Sequence, residues 1–233
     1  MRITMVDCAV LRTRETEMQD IKAAGKRTAQ EAQATREKIV SAALERFSAG
    51  GFESVSVRGI AADAGVTHGM IQHHFGGKQE VWKAAMEEVF DRYRQSLLPE
   101  IDQAPEDQNP LETFRKVVTA FIQLSSDQPT YARLLVRESE AGGERARFCF
   151  ERFQEIHQAI GRLFEQARQH SPALQFHTND SFFNALMSLT FFGILHPSAG
   201  IEPQYPLKAE IRDRTDLILA ILFGHPSQNR QSL

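Results

Sequence analysis

Residues 56–78 constrain the fold more than any other part of the chain, because two short helical patterns flank a glycine turn. The first pattern places small and branched apolar side chains on one face: Val57, Ile60, Ala61 and Ala64. Ser56 precedes this pattern and Thr67 precedes the second one, and hydroxyl side chains are favoured helix N-caps. Gly65 supplies the turn, and Gly76–Gly77 ends the second helix. This arrangement predicts a helix-turn-helix.

Longer helical patterns lie on both sides of this motif. Upstream, apolar residues recur on one helical face at Ile39, Val40, Ala43, Leu44 and Phe47. Thr35 is the predicted N-cap of this helix, Glu37 lies in its first turn, and Gly50–Gly51 is its predicted end. Downstream of the motif, the helical period continues for about five turns, up to the predicted end at Pro99.

The rest of the chain shows the same period. Residues 1–34 are polar and lack a strong repeat, so they are interpreted as a flexible arm. After a proline-rich loop, we predict five further helices, at residues 111–125, 129–140, 144–170, 179–196 and 207–224. No segment alternates apolar and polar residues as a strand does. The predicted fold class is therefore all-α.

Charge and cysteine content restrict the function. The net charge of the 233 residues is −3, so nucleic-acid binding requires a local basic patch. Residues 22–83 carry nine basic and six acidic side chains, and this surplus coincides with the helix-turn-helix. Cys8 and Cys149 match no metal or redox spacing. With no signal peptide and no membrane-spanning run, we expect a cytoplasmic chain without a membrane partner.

Three histidines in the stretch "AGVTHGMIQHHFGGK" raise the question of a metal or catalytic site. His68 lies five and six residues before His73 and His74, so the three side chains do not share a helical face. No cysteine or carboxylate cluster accompanies them. The sequence also lacks the G-x-S-x-G, P-loop and G-x-G-x-x-G motifs. We therefore predict no metal, no cofactor and no enzymatic activity.

The second short helix carries a polar face opposite Ile71 and Phe75. That face contains Thr67, His68, Gln72 and His73, and Gly69 within it allows close approach of a phosphate. Such a surface suits a DNA groove. A purely solvated face is the alternative, and it accounts for the polarity but not for the glycine and threonine placement beside a basic surplus.

The segment "IVSAALERFSAGGFESVSVRGIAADAGVTHGMIQHHFGGKQEV" resembles the TetR family of bacterial transcriptional regulators over roughly residues 35–90. The AGV turn, the T-x-G opening of the recognition helix, the closing H-F and the following lysine are in register. The resemblance implies backbone contacts to DNA from Ser56, Arg58, His73 and Lys78, with Arg58 also able to reach a base edge. It implies that the recognition helix enters the major groove with Thr67, His68, Gly69 and Met70.

One position departs from the family pattern. The family commonly has a tyrosine where this chain has Gln72, and a glutamine can instead pair with adenine or hydrogen-bond a phosphate. The operator preference of a relative therefore does not transfer to this chain. His74 is expected to be partly packed and Phe75 to belong to the core.

The C-terminal half of the family binds a small molecule and dimerises. Here the segment "NDSFFNALMSLTFFGILHP" is apolar nearly all round, which favours burial on more than one side, either in a four-helix dimer interface or in a monomeric core. The abundant phenylalanines suit a small apolar or aromatic effector, and equally a plain core.

The ligand-binding residues we predict are Arg133, Arg137, His157, Phe183, Asn184 and Met187. Surface charges are the favoured interpretation of Arg137 and Glu138, and a satisfied core histidine that of His157. For Cys149 a packing role is favoured over a redox sensor.

We expect a ligand-responsive DNA-binding regulator: a repressor that binds a palindromic operator as a homodimer and is released by its effector. The predicted parts are a flexible arm (1–34), a helix-turn-helix DNA-binding domain (35–80), an effector-binding and dimerisation domain (81–225) and a tail (226–233). Two alternatives remain open. One is a ligand-independent factor that organises DNA, and the other is an all-α small-molecule-binding module without DNA function.

Overall fold

The fold is taken from a computed structural model that describes the backbone of residues 5–105, 107–139, 141–195 and 207–224. Side chains are described in residues 29–105, 107–139, 141–192 and 212–224. The predicted tail, residues 226–233, lies outside the described residues. The described backbone contains helices and turns and no strand, which confirms the all-α prediction.

Nine α-helices and one 3₁₀ turn follow one another in the described chain. Their bounds are α1 Met5–Ser54, α2 Val57–Ala64, α3 His68–Phe75, α4 Lys78–Asp102, α5 Pro110–Asp127, α6 Pro129–Ser139, α7 Gly143–Arg168, the 3₁₀ turn Leu174–Phe176, α8 Asn179–Leu195 and α9 Leu207–Phe223. The predicted helices that follow the proline-rich loop correspond to α5 to α9, with boundaries that agree to within two residues. Sustained helical period therefore located these elements correctly.

The chain divides into two compact units. Unit 1 comprises Met1–Ala43 and Ser56–Val81, and unit 2 comprises Leu44–Val55 and Trp82–Leu233. Helices α1 and α4 each contribute residues to both units. The short segment Leu44–Val55 belongs to unit 2, and the domain bounds predicted from the sequence stay a prediction.

Two predicted helix ends are wrong. Thr35 is not an N-cap, because α1 begins at Met5 and the Thr35 hydroxyl donates to the carbonyl of Glu31 at 2.8 Å inside the helix. The segment before Thr35 contains Ala, Gln, Glu and Lys, which are good helix formers even where no apolar stripe is present. Pro99 does not end α4, which runs to Asp102. A proline there removes one backbone hydrogen bond and its ring crowds the carbonyl of Gln95, and the helix continues for only three residues beyond it.

An aromatic cluster forms the centre of unit 2, where α5 packs against α7, α8 and α9. Phe114 lies 5.1 Å from Phe182, 5.6 Å from Phe164 and 5.7 Å from Phe223, measured between ring centroids. The tilted and edge-on arrangements are those that aromatic pairs prefer. Burying each ring contributes about 2–3 kcal/mol of hydrophobic stabilisation. This cluster holds together four helices that are distant in sequence.

Candidate nucleic-acid interface

Helix α2 begins and ends as the sequence predicts. Ser56 has extended backbone angles, and its hydroxyl oxygen accepts a hydrogen bond from the Gly59 amide at 3.1 Å. Gly65 follows the helix in the left-handed region, with φ 64°, and its amide donates to the carbonyl of Ala62 at 3.2 Å. A residue with a Cβ is strained at this φ, so glycine suits the turn. Both predicted roles are confirmed.

Helix α3 is anchored from one side. Thr67 has extended angles, and its Oγ1 accepts from the Met70 amide at 3.3 Å, which confirms the predicted N-cap. Ile71 is fully buried, whereas Met70 is 36% exposed. The polar residues of the same eight-residue helix, together with its cap, are exposed: Thr67, His68, Gly69, Gln72 and His73. Burial of a single isoleucine thus leaves most of the helix surface free for a partner.

Gly69 lies on that exposed surface. A Cβ added there would meet Thr67 Oγ1 at 3.9 Å, which is ordinary van der Waals contact. Its backbone angles do not lie in the left-handed region. Internal packing and backbone geometry therefore leave room for a side chain at residue 69. Neither of them explains why this residue is a glycine.

Gln72, the position that departs from the family pattern, has an internal partner. Its Nε2 donates to the carbonyl of Gly76 at 2.7 Å and caps the C-terminal end of α3. Bidentate pairing with adenine uses both the nitrogen and the oxygen of the amide. Gln72 would have to give up this cap to pair with adenine, whereas its Oε1 can accept a bond without doing so. The predicted DNA contact stays a prediction.

The end of α3 carries a short aromatic series. The rings of His73 and His74 are 5.5 Å apart at 74°. His74 is half-buried, in line with the expected partial packing. Phe75 is also half-buried, so its assignment to the core is wrong. The Arg36 guanidinium lies over its ring at 5.2 Å, an arrangement that leaves one face of the ring near the surface.

The remaining predicted DNA contacts lie at the starts of two helices. Ser56 and Arg58 are exposed at the beginning of α2, and Lys78 is the half-buried first residue of α4. Helix N-termini favour phosphate because their amides lack intrahelical partners and the helix dipole is positive there. All nine predicted DNA contacts fall in unit 1. Contact with DNA itself stays a prediction for each of them.

The predicted ligand-binding residues do not form one group. Arg133 and Asn184 are exposed. Arg137 donates to main-chain carbonyls of α1, from Nε to Ser48 at 2.7 Å and from Nη2 to Ala49 at 2.8 Å. His157 and Phe183 lie together, with ring centroids 4.7 Å apart. These positions favour a structural role for Arg137 and leave the ligand-binding role of the others as a prediction.

Met187 is half-buried and lines two cavities. One is an interior space of about 10 Å³, enclosed by apolar side chains of α4, α5, α7 and α8. The other has about 250 Å³ and opens to the surface of unit 2. Only the larger cavity has room for a small organic molecule without rearrangement of the core.

Glu138 is buried, so its interpretation as a surface charge is wrong. Its side chain is 3% exposed. Oε1 accepts from the Trp82 indole at 3.1 Å, and Oε2 accepts from Arg145 Nε at 3.1 Å. A buried carboxylate requires such partners. No local signal reveals them, because Trp82 precedes Glu138 by 56 residues.

Cys149 is close enough to Glu138 to be affected by it. The pKa of the Cys149 thiol is raised to about 12, mainly by burial and in addition by the Glu138 carboxylate, while Arg145 opposes the shift. The thiol is therefore protonated at neutral pH, and thiolate chemistry is suppressed. The geometry agrees with the packing role we weighed for this residue.

Two features are absent from the part of the chain that the structure describes. No cluster of three or more His, Cys, Asp or Glu side chains there is arranged to hold a metal ion. No helix in that part of the chain is both long and apolar enough to cross a membrane.

Comparison with known proteins identifies the helix-turn-helix. The family described as "Bacterial regulatory proteins, tetR family" matches residues 39–85. The transcriptional regulator SrpR of Pseudomonas putida is 46% identical over 61 residues, which are 26% of this chain and 29% of that protein. This chain thus spans less than a third of the length of SrpR in that match. The 46% identity is limited to about a quarter of this chain.

Two further matches extend beyond this region. The structure of AibR in complex with isovaleryl coenzyme A and operator DNA has a TM-score of 0.65 at 19% identity, and covers 82% of this chain and 98% of that one. At this identity the likeness shows the fold alone. The transcriptional regulator AcrR of Shigella flexneri is 30% identical over 154 residues, which are 60% of this chain and 69% of AcrR. The family match at the helix-turn-helix and this longer similarity together show that the chain belongs to the TetR family of bacterial regulatory proteins.

Proposed function

We propose that this protein is a ligand-responsive transcriptional repressor that binds a palindromic DNA operator as a homodimer. The observation that carries the proposal is the surface of α3, where Ile71 is fully buried and the polar residues around it are exposed. Thr67 and Gly65 hold this helix at a defined start, so its first residues can be presented to base edges. Ser56, Arg58, His73 and Lys78 are assigned to phosphates, and Thr67, His68, Gly69, Met70 and Gln72 to the groove.

A homodimer is supported by apolar side chains that are exposed on the last two helices. Phe192 on α8 is 68% exposed, and Leu217 and Ile221 on α9 are 60% and 56% exposed. Leu217 and Ile221 are four residues apart and share a helical face. Two copies that pair α8 and α9 would cover these side chains. The two-fold axis would place two recognition helices about 34–36 Å apart, or a multiple of that, to match an operator palindrome.

Effector response is assigned to α4, because it is one continuous helix from Lys78 to Asp102. Its residue Phe90 lines the surface-open cavity described above, and its residue Leu97 lines the small interior space. A ligand that shifts this part of α4 moves Lys78 at the start of the same helix. The effector thus favours a DNA-incompetent state over a competent one, which is a population shift.

DNA binding is tested by selecting bound sequences from a random pool and measuring affinity against salt. The proposal predicts a few palindromic sites and an affinity that falls steeply as salt rises, because phosphate contacts release counterions. Many scattered sites would instead indicate a DNA-organising factor. The absence of salt-dependent binding would indicate a helical small-molecule-binding module, and the repressor proposal would then be abandoned.

Dimerisation is tested on the α9 face. Ile221→Glu places a charge on the proposed interface, so sedimentation should show monomers and operator affinity should fall. Arg212→Glu, at an exposed position on the opposite face of the same helix, is the matched control and should leave a dimer. A monomeric wild-type protein that binds the palindrome tightly would contradict the proposed assembly.

A further inference from the structure

The surface-open cavity that Met187 lines in unit 2 has an almost entirely apolar wall. Its volume is about 250 Å³, and it lies among residues of α4, α6, α7 and α8. Phe90, Phe150, Phe153 and Met187 supply most of the aromatic and flexible apolar surface. Phe150 is 71% exposed, which places it at the opening of the cavity. Such a wall fits the hydrocarbon or aryl part of a small molecule.

Glu138 is the charged side chain among the residues that line this cavity. A carboxylate has about four acceptor positions, and the described bonds from Trp82 and Arg145 use two of them. Cys149 also lines the cavity, and its thiol is neutral because burial raises its pKa to about 12. No described lining residue is basic. The wall therefore repels an anionic head group and accepts a cationic one.

Arg145, which donates a hydrogen bond to Glu138 in this structure, has a second set of partners. Its Nη1 contacts Glu53 Oε1 at 3.1 Å, and its guanidinium lies 4.5 Å from the ring centroid of Phe52. Arg145 can therefore leave Glu138 and keep both an ion pair and a cation–π contact. Phe52 and Glu53 belong to the last residues of α1, shortly before the N-cap Ser56 of α2.

We propose that this cavity is an effector subsite for an apolar molecule with a primary ammonium head, which Glu138 binds in exchange for Arg145. The apolar part of the ligand occupies the phenylalanine-lined space, and its ammonium donates to Glu138 Oε2. The buried carboxylate keeps one cationic partner throughout, so no uncompensated charge is created. Released Arg145 stays with Glu53 and Phe52 at the end of α1. This subsite rests on the proposed ligand response and gives it a chemical class.

The experiment uses three probes of matched shape: 4-phenylbutylammonium, 4-phenylbutan-1-ol and 4-phenylbutyrate. Trp82 is the single tryptophan of the chain and donates to Glu138, so its fluorescence reports on the carboxylate. Titration of the full-length protein without DNA, checked by calorimetry, should give saturable binding of the ammonium. We expect the alcohol to bind at least about tenfold more weakly, since a charge-assisted bond contributes more than a neutral one. The carboxylate should not bind.

Glu138→Gln keeps an acceptor for the Trp82 indole and removes the charge. It should weaken ammonium binding at least about tenfold and leave the alcohol unchanged. Glu151→Gln is the matched control, because Glu151 is an exposed acid of α7 outside the cavity lining. If Glu138→Gln fails to fold, Ala146→Leu, which narrows the cavity without touching Glu138, should abolish binding of the ammonium.

Equal affinity of the ammonium and the alcohol, tight binding of 4-phenylbutyrate, or wild-type ammonium affinity in either cavity variant would overturn the subsite. A failure of the regulator proposal would give a different experimental result. If the ammonium binds with the expected variant effects while operator affinity stays constant, the subsite is supported and the ligand response is contradicted.

Discussion

The guanidinium group of Arg137 donates from Nε to the main-chain oxygen of Ser48 at 2.7 Å, although the two residues are 89 positions apart. Its Nη2 also donates to the neighbouring carbonyl of Ala49 at 2.8 Å. Both carbonyls lie just before Gly51, whose φ of 75° departs from helical geometry. Carbonyls at a helix end lack intrahelical donors, and a cation there opposes the helix dipole. Arg137 of α6 thus caps this part of α1.

Arg137→Gln should destabilise the protein, because two carbonyls at the end of α1 lose charged donors. We expect the free energy of unfolding to fall by about 1–3 kcal/mol, the usual range for hydrogen bonds from charged groups. Urea unfolding followed by Trp82 fluorescence measures this change. Arg133→Gln, at an exposed position one turn earlier in α6, should alter stability by less than about 0.5 kcal/mol. An equal effect of the two substitutions would contradict the capping role.

Lys78→Ala should weaken DNA binding to all sequences alike, because Lys78 is assigned to a phosphate. The slope of log affinity against log salt should decrease by about one. His68→Ala or Met70→Ala should instead change which bases are selected, since both residues are assigned to the major groove. Selection from a random pool measures the base preference of each variant, and affinity measured against salt gives the slope. The division of roles is wrong if Lys78→Ala changes only base preference.

Alkaline stability should depend on Tyr93. Ser125 gives its hydroxyl proton to the Phe121 carbonyl at 2.8 Å, so Tyr93 must be the donor in its 2.9 Å bond to Ser125. Burial is the largest cause that raises the pKa of Tyr93, from 10.0 to about 12. Because the folded pKa lies above the unfolded one, the contribution is complete below pH 10 and is lost between about pH 10 and 12.

Tyr93→Phe should remove this part of the pH dependence. The wild-type protein should lose about 3 kcal/mol more than the variant across that interval, since each pKa unit corresponds to about 1.4 kcal/mol. Circular dichroism during urea unfolding, from pH 8 to pH 12, gives the difference. Other groups that titrate in this range are common to both proteins and cancel. Parallel curves for the two proteins would show that Tyr93 ionises equally in both states.

Cys149 should react slowly with alkylating reagents at pH 8. Its pKa of about 12, against the ordinary 9.0, lowers the thiolate fraction roughly a thousandfold. Iodoacetamide labelling in a Cys8→Ser background, followed by mass spectrometry, measures the rate. Glu138→Gln should accelerate labelling, because the carboxylate is one of the causes that raise this pKa. Labelling as fast as that of a free cysteine peptide would contradict the raised pKa and favour a redox-sensing role for Cys149.

Local patterns determined much of the architecture. Five helices after the proline-rich loop, the two caps at Ser56 and Thr67 and the turn at Gly65 were all predicted correctly, because apolar period and capping are properties of neighbouring residues. The same reasoning failed at Thr35. Polar helix formers continue a helix without an apolar stripe, so the start of the stripe was mistaken for the start of the helix.

The regulator family and the exposed face of α3 followed from the sequence by itself, since they depend on residues within a short segment. The tertiary structure alone decided that Glu138 is buried between Trp82 and Arg145, and that Arg137 caps a helix 89 residues earlier. A charged residue on an amphipathic helix looks the same in sequence whether it faces water or a distant carbonyl. Its partner is fixed only when the packing of apolar faces brings remote segments together, and the cost of burying a charge then requires that a partner be present.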